Sequence, residues 1–220
     1  MFSFIARRLL GRLSRRQEMP LLKRQIAELE SEIVQLKSLL TTDPMTGLLN
    51  KKYFLERLDR HLVASDDHNC RRKRSSGSAV LFIDCNSFRA VNDAFGHDVG
   101  DSSIIAIAQV LAATLRPKDL VARFGGDEFD AFVDNITQHE VLGLAGRIMQ
   151  AISLIEFDKL NLKTRQTVRV PLSVSIGVAW CDSRARVDGE AMMRMAMLAQ
   201  HDAKISFRNG GIGVAVFVHP

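Results

Sequence analysis

Cysteine is scarce in this chain, and the few present do not cluster. Cys70, Cys85 and Cys181 are spread through 220 residues with no CxxC spacing. That excludes a disulfide framework or a paired-thiolate zinc site and suits a reducing compartment. Long apolar runs are missing too: nothing approaches the roughly 20 residues that cross a bilayer. Arginines interrupt what would otherwise be the apolar core of a secretion signal. The chain therefore reads as cytoplasmic. Aromatic residues make up only 6%, and the net charge of +5 is mostly local, because residues 1–18 hold Arg7, Arg8, Arg12, Arg15 and Arg16 against Glu18 alone. A nucleic-acid binder needs a basic face on its folded domain with stacking aromatics beside it, so no nucleic-acid partner is expected. What the chain does have is apolar content of 46%, enough for one sizeable domain and an accessory segment.

The accessory segment has two parts. Residues 1–18 mix Phe2, Phe4, Ile5, Leu9, Leu10 and Leu13 with the arginines. Such a mixture allows residues 1–16 a weak contact with a membrane surface, at its inner face, and equally suits a solvated start. Residues 19–41 follow. Leu22, Ile26, Leu29, Ile33, Leu36 and Leu40 recur at alternating spacings of four and three, with no proline or glycine between them. Isoleucine at two of three a positions and leucine at every d position favours a parallel two-stranded coil, and Glu32 at g can meet Lys37 at e of a partner. The same spacing also fits an amphipathic helix packed on its own domain. Residues 42–220 form the main domain.

Within that domain "TTDPMTG" reads as a turn, residues 51–64 as a helix and "SDDHNCRRKRSSGS" as a loop. "AVLFIDC" reads as a buried strand, residues 102–115 as a helix, and "DLVARF" and "EFDAFV" as the strands of a hairpin closed by the paired glycines. A helix over 139–155, a strand in "VPLSVSIGVAW", a helix over 189–206 and a strand in "GVAVFV" complete the pattern. The predicted class is α+β, a mixed or antiparallel sheet covered by helices.

Two acidic features stand out. Gly125 and Gly126 are expected to turn the hairpin with positive φ, so Asp127 and Glu128 leave a rigid ribbon at its rim. Asp84 ends the apolar strand, where a stiff backbone and the following Cys85 carbonyl suit a divalent ion. If hairpin and strand are neighbours, Asp84 and Asp127 can share magnesium. Otherwise they are ordinary solvated turn acids.

Five blocks complete the picture: "DPMTGLLNKKYF" (43–54), "FIDCNSFRAVNDAFGHDVGD" (82–101), "RPKDLVARFGGDEF" (116–129), "SVSIGVA" (173–179) and "AKISFRN" (203–209). In this order they resemble the GGDEF domain, the diguanylate cyclase family. The resemblance implies a palm-like sheet of the nucleotide cyclase type. It also implies a homodimer in which two GTP molecules condense to cyclic di-GMP and two pyrophosphates, with two Mg2+ or Mn2+ ions per site. By the same resemblance Asp84, Asp127 and the Cys85 carbonyl are metal ligands, and Asp127 and Glu128 are catalytic. Asn92 and Asp101 contact guanine, Arg89, Lys204 and Arg208 contact phosphates, and Gly125 and Gly126 let the backbone approach them. Arg116 and Asp119 match an inhibitory RxxD motif that binds product, with Arg147 as a further arginine of that site.

The chain departs from the family pattern at Asn86, Met197, His201 and Phe207, where the family carries an acid, an acid, a tyrosine and a glycine. These departures bear on how Lys204 and Arg208 are set. His97 is expected to be structural. The sequence thus favours an active cyclase dimerised by its coil. A degenerate receptor for GTP or cyclic di-GMP is the alternative, and a coiled-coil scaffold at a membrane explains only residues 1–40.

Overall fold

The structure is a computed structural model and describes residues 19–20, 22–32, 36, 38–64, 76–156, 158–160, 162–163, 165–182, 185, 187–211 and 213–219. It divides into two compact units, residues 1–41 and 42–220.

In the first unit the described residues from 19 to 41 are helical (α1). Leu22, Ile26, Leu29, Leu36 and Leu40 are all exposed along it, and Arg24 pairs with Glu28 one turn on. The basic segment 1–18 and the seam positions Ile33 and Lys37 lie outside the described residues. No described helix is long and apolar enough to cross a membrane.

The second unit is built on a mixed six-stranded sheet of order β1-β3-β4-β2-β7-β8. Its strands are β1 (Leu49–Asn50), β2 (Gly77–Cys85), β3 (Leu120–Gly125), β4 (Glu128–Ile136), β7 (Val174–Asp182) and β8 (Val214–His219). The central pairs are antiparallel, while β1 joins β3 and β8 joins β7 in parallel. All nine residues of β2 are buried, as a continuous apolar run with helices on both sides requires. Alternate side chains feed two cores. Leu81 and Ile83 pack on one face with Ile104, Ile107 and Ile148, from α4 (His97–Thr114) and α5 (Gln138–Ser153). Val80 and Phe82 pack on the other with Phe54, Leu58 and Met192, from α2 (Lys51–Ala64) and α6 (Gly189–Arg208). Thr137 caps α5 in a full capping box with Glu140, which satisfies orphan amides at the helix start.

Three elements depart from the sequence reading. A helix α3 (Phe88–Phe95) precedes α4, and α4 begins at His97 instead of residue 102. Gly96, at φ 94°, separates the two, a left-handed position that glycine takes readily. A small hairpin of β5 (Asp158–Leu160) and β6 (Thr167–Arg169) is added. Finally, the signature turn is shifted: Gly125 belongs to β3 and the turn residues are Gly126 and Asp127. Neither glycine has positive φ. The expected reason for the glycine pair is therefore corrected: neither takes a left-handed conformation, and a Cβ at Gly125 would come 3.0 Å from Glu128 Oε2. A Cβ at Gly126 would meet nothing within 4 Å, so the outer side of the turn is open to a bulky ligand.

Candidate active site

Strand register puts the acids together. Asp84 lies opposite Glu128 across the β2–β4 pair, and the Cys85 amide donates to the Asp127 carbonyl at 3.2 Å. The hairpin tip is thus hydrogen-bonded onto the end of β2, and Asp84, Asp127 and Glu128 share one rim. The turn is held from behind. Arg123 donates through Nη2 and Nε to the Gly126 carbonyl at 2.8 and 3.2 Å, and its Nη1 contacts Asp43 Oδ1 at 3.3 Å. Burial alone would raise the Asp43 pKa, but hydrogen bonds from Thr46 and the Arg123 charge lower it below the ordinary value. The "DPMTG" turn and the signature turn are therefore one mechanical unit.

Electrostatically the rim is over-supplied with negative charge. Burial, then the neighbouring Asp84, pushes the Asp127 carboxyl above its usual range. Burial, Asp84 and Asp127 do the same to Glu128. Burial and the same two aspartates also raise the Cys85 thiol, so Cys85 is a neutral thiol and only its carbonyl suits a hard ion. The cation that answers the rim directly is Lys204, whose Nζ lies 2.6 Å from Asp84 Oδ1. The sequence assigned Lys204 to phosphate; nothing in its spacing from Asp84 signalled this pairing, because α6 crosses the sheet to make it.

Among the described residues no group of three or more His, Cys, Asp or Glu side chains is placed to hold a metal ion. The available donors are two aspartate carboxylates and a carbonyl, hard oxygens that suit magnesium when substrate phosphates complete its shell. They fit a phosphate-bridged ion better than a closed structural one.

The remaining predicted residues occupy two places. Asn92 on α3 is tucked against α4: a Cβ at Gly100 would come 1.8 Å from its Oδ1. That oxygen is buried without a hydrogen-bond partner, an acceptor lacking a donor, and the exposed Asp101 follows Gly100 directly. Arg89 and Arg208 are exposed at the start of α3 and the end of α6. Elsewhere, Arg116, Asp119 and Arg147 line a single cavity of about 360 Å³, joined by Thr114, His139 and Glu140. Asp119 Oδ2 accepts from the Arg116 amide at 2.9 Å, while its Oδ1 is buried and unpartnered. His139 and Glu140 carried no motif that would have placed them there.

The departures from the family pattern have local accounts. Asn86 Oδ1 accepts from Ser175 at 2.7 Å and its amide donates to Ser173 at 3.3 Å, so a neutral amide ties β2 to β7 without adding to the acid cluster. Met197 packs against the core beside α2. His201 and Phe207 are exposed, and His97 is the first residue of α4. One acid was overlooked altogether: Asp130, two residues beyond Glu128, is 0% exposed with neither oxygen hydrogen-bonded.

A palm-like mixed sheet with acids at the end of a central strand and at the tip of the adjoining hairpin defines a nucleotide cyclase-like class. More narrowly, residues 40–210 match the family model "Diguanylate cyclase, GGDEF domain", and the chain belongs to that family. It is 31% identical over 175 residues to a probable diguanylate cyclase, DgcC, of Escherichia coli, covering 80% of this chain and 43% of that protein. It is also 34% identical over 185 residues to the cyclic di-GMP phosphodiesterase NbdA of Pseudomonas aeruginosa, covering 83% of this chain and 22% of that one. The chain thus spans less than half the length of these relatives. Among solved structures it superposes on the coiled coil and GGDEF domain of DgcB from Caulobacter crescentus, determined with c-di-GMP. That match has a TM-score of 0.72 at 23% identity, covering 90% of this chain and 95% of that one, a likeness of fold.

Proposed function

We propose that this chain is a diguanylate cyclase, joining two GTP molecules into cyclic di-GMP with release of two pyrophosphates. The observation that carries the reading is the Cys85 to Asp127 backbone hydrogen bond, which lays the hairpin tip on the end of β2 and gathers the acids at one rim. Asp84, Asp127 and the Cys85 carbonyl would hold Mg2+ or Mn2+, two ions per site. Once bound, such ions neutralise charge on the phosphates during in-line displacement.

The protein's own groups do the rest. Asn92 and Asp101 offer acceptors to the N1 and N2 donors of guanine, a pair that adenine does not present. Arg89, Lys204 and Arg208 take the phosphates, and the open side of Gly126 admits them. In each half-reaction the 3′ oxygen of one GTP bonds to the α-phosphorus of the other. The bond from that phosphorus to the bridging oxygen breaks, and pyrophosphate leaves with the electron pair. Glu128, made more basic by burial and then by its acidic neighbours, receives the 3′ hydroxyl proton.

One chain offers one such rim, so two chains must meet. The exposed Leu22, Leu29 and Leu36 row of α1 supports a coiled-coil homodimer, which raises the local concentration of one half-site at the other. The Arg116, Asp119 and Arg147 cavity supports inhibition by product. Incubating the full chain with GTP and Mg2+ and separating the products by chromatography tests the reading. Cyclic di-GMP is expected from the wild type, with at least about 10²-fold less from Asp127→Ala. If the folded wild type, stripped of bound product, makes none, the chain is a receptor instead.

A further inference from the structure

We propose that Lys204 is the built-in counter-ion of the acid rim: its ammonium holds Asp84 until a divalent ion arrives with nucleotide, and its transfer to a phosphate couples the two binding events. The inference rests on the cyclase reading for the identity of the ligands, but its evidence is the ion pair itself.

Asp84 and Lys204 come from opposite ends of the domain's sequence and meet at 2.6 Å, with side chains only 12% and 30% exposed. This is a partly desolvated contact, stronger than a solvent-exposed pair. Asp127 and Glu128 form no ion pair among the described residues; Lys51 and Arg123 act on them only from a distance, so Lys204 is the cation in direct contact with the rim. A rim this acidic should attract divalent ions even without substrate. It cannot do so cheaply while Lys204 stays in place. The oxygen that the ammonium grips is one that a hard cation would need at roughly 2.1 Å, and two cations at that separation repel. Lys204 must therefore move before Asp84 can coordinate.

The residue type suits that motion. A lysine is a point charge on a flexible four-carbon stem, whereas an arginine fork would grip the carboxylate through two parallel hydrogen bonds. The displaced ammonium needs a new anion, and the triphosphate supplies one. Ion alone then binds weakly, because it must displace Lys204 from its closest carboxylate; ion with nucleotide binds well, because a phosphate replaces that contact. By thermodynamic reciprocity, nucleotide alone is penalised to the same degree. Such coupling keeps the rim empty of ions until substrate is present, which a bare cluster of carboxylates could not do.

The test is Mn2+ binding to the full chain, followed by electron paramagnetic resonance of the free ion, with and without a non-hydrolysable GTP analogue. Lys204→Met, near in shape and uncharged, should bind Mn2+ alone about tenfold or more tightly than the wild type, and the analogue should tighten its Mn2+ binding much less. Lys204→Arg should bind Mn2+ alone more weakly than the wild type. Near-ultraviolet circular dichroism establishes that each variant is folded. If Lys204→Met binds Mn2+ equally or more weakly, the pair is merely structural and the inference fails while the cyclase reading stands. Should Lys204→Met not fold, Lys204→Arg binding Mn2+ as well as the wild type overturns the inference by itself. Failure of every folded variant to bind Mn2+, with or without the analogue, overturns the cyclase reading as well.

Discussion

The acid rim and the arginine-lined cavity are opposite solutions to the same problem. At the rim, Asp84, Asp127 and Glu128 crowd together, and among the described residues only Asp84 has an ion-pair partner, Lys204. The cavity is lined by Arg116, Arg147, Asp119 and Glu140, and each acid already accepts from a backbone amide. Asp119 holds the Arg116 amide, and Glu140 holds the amide and hydroxyl of Thr137 at 2.8 Å each. Neither guanidinium forms an ion pair among the described residues. The rim has carboxylates without an ion pair, and the cavity has guanidinium groups without one. The lesson is that the two regions carry surplus charge of opposite sign.

The comparison can be broken from the cavity side. Arg116→Ala should weaken cyclic di-GMP retention, read by isothermal titration calorimetry, at least about tenfold, since a charge-assisted contact is lost. Asp127→Ala should leave that retention unchanged. If Arg116→Ala retains product as the wild type does, the surplus charge of the cavity serves something else.

Asp130 sharpens it. Like Glu128 it sits on β4, yet it is fully buried with no hydrogen-bond partner, and burial, then Glu128, pushes its carboxyl well above the ordinary value. A folded-state value above the unfolded one means that the unfolded chain loses this proton first as pH rises. Stability from this group is therefore greatest below the ordinary aspartate range and falls as pH climbs from there toward the raised value. Asp130→Val should remove that falling component and stabilise the domain at neutral pH by about 2 kcal/mol, measured by urea unfolding across pH. An unchanged pH profile would show that Asp130 has a partner or ligand in solution. The smallest effect belongs to the helix cap: Thr137→Ala breaks the α5 cap and should cost about 1 kcal/mol in the same unfolding assay.

The acids that the structure brings to one rim were legible in the sequence because their signals are local. Asp84 closes an unmistakable buried strand, and Asp127 and Glu128 flank a glycine-marked turn. The role of the glycines was misjudged: two adjacent glycines suggest positive φ, but the Arg123 bonds to the Gly126 carbonyl fix the turn one residue later, and the open space lies at Gly126. Helix α3 was missed because "SFRAVNDAFG" is too short for its period to stand out from a loop. His139 and Asp130 were invisible for a different reason. A histidine in the first turn of a helix and an aspartate in a strand become notable only when a cavity or a dry core surrounds them.

By itself the sequence determined most of the strands and helices of the main domain and the α+β class, because hydrophobic period and residue type are properties of neighbouring positions. Only the tertiary structure decided that the hairpin tip is bonded to the end of β2, that Lys204 reaches Asp84 from 120 residues away, and that Arg116 and Arg147 open onto one cavity. Those facts depend on strand register and on where helices cross the sheet. They are set by how two cores pack against a shared sheet, which is not written in any one stretch of chain.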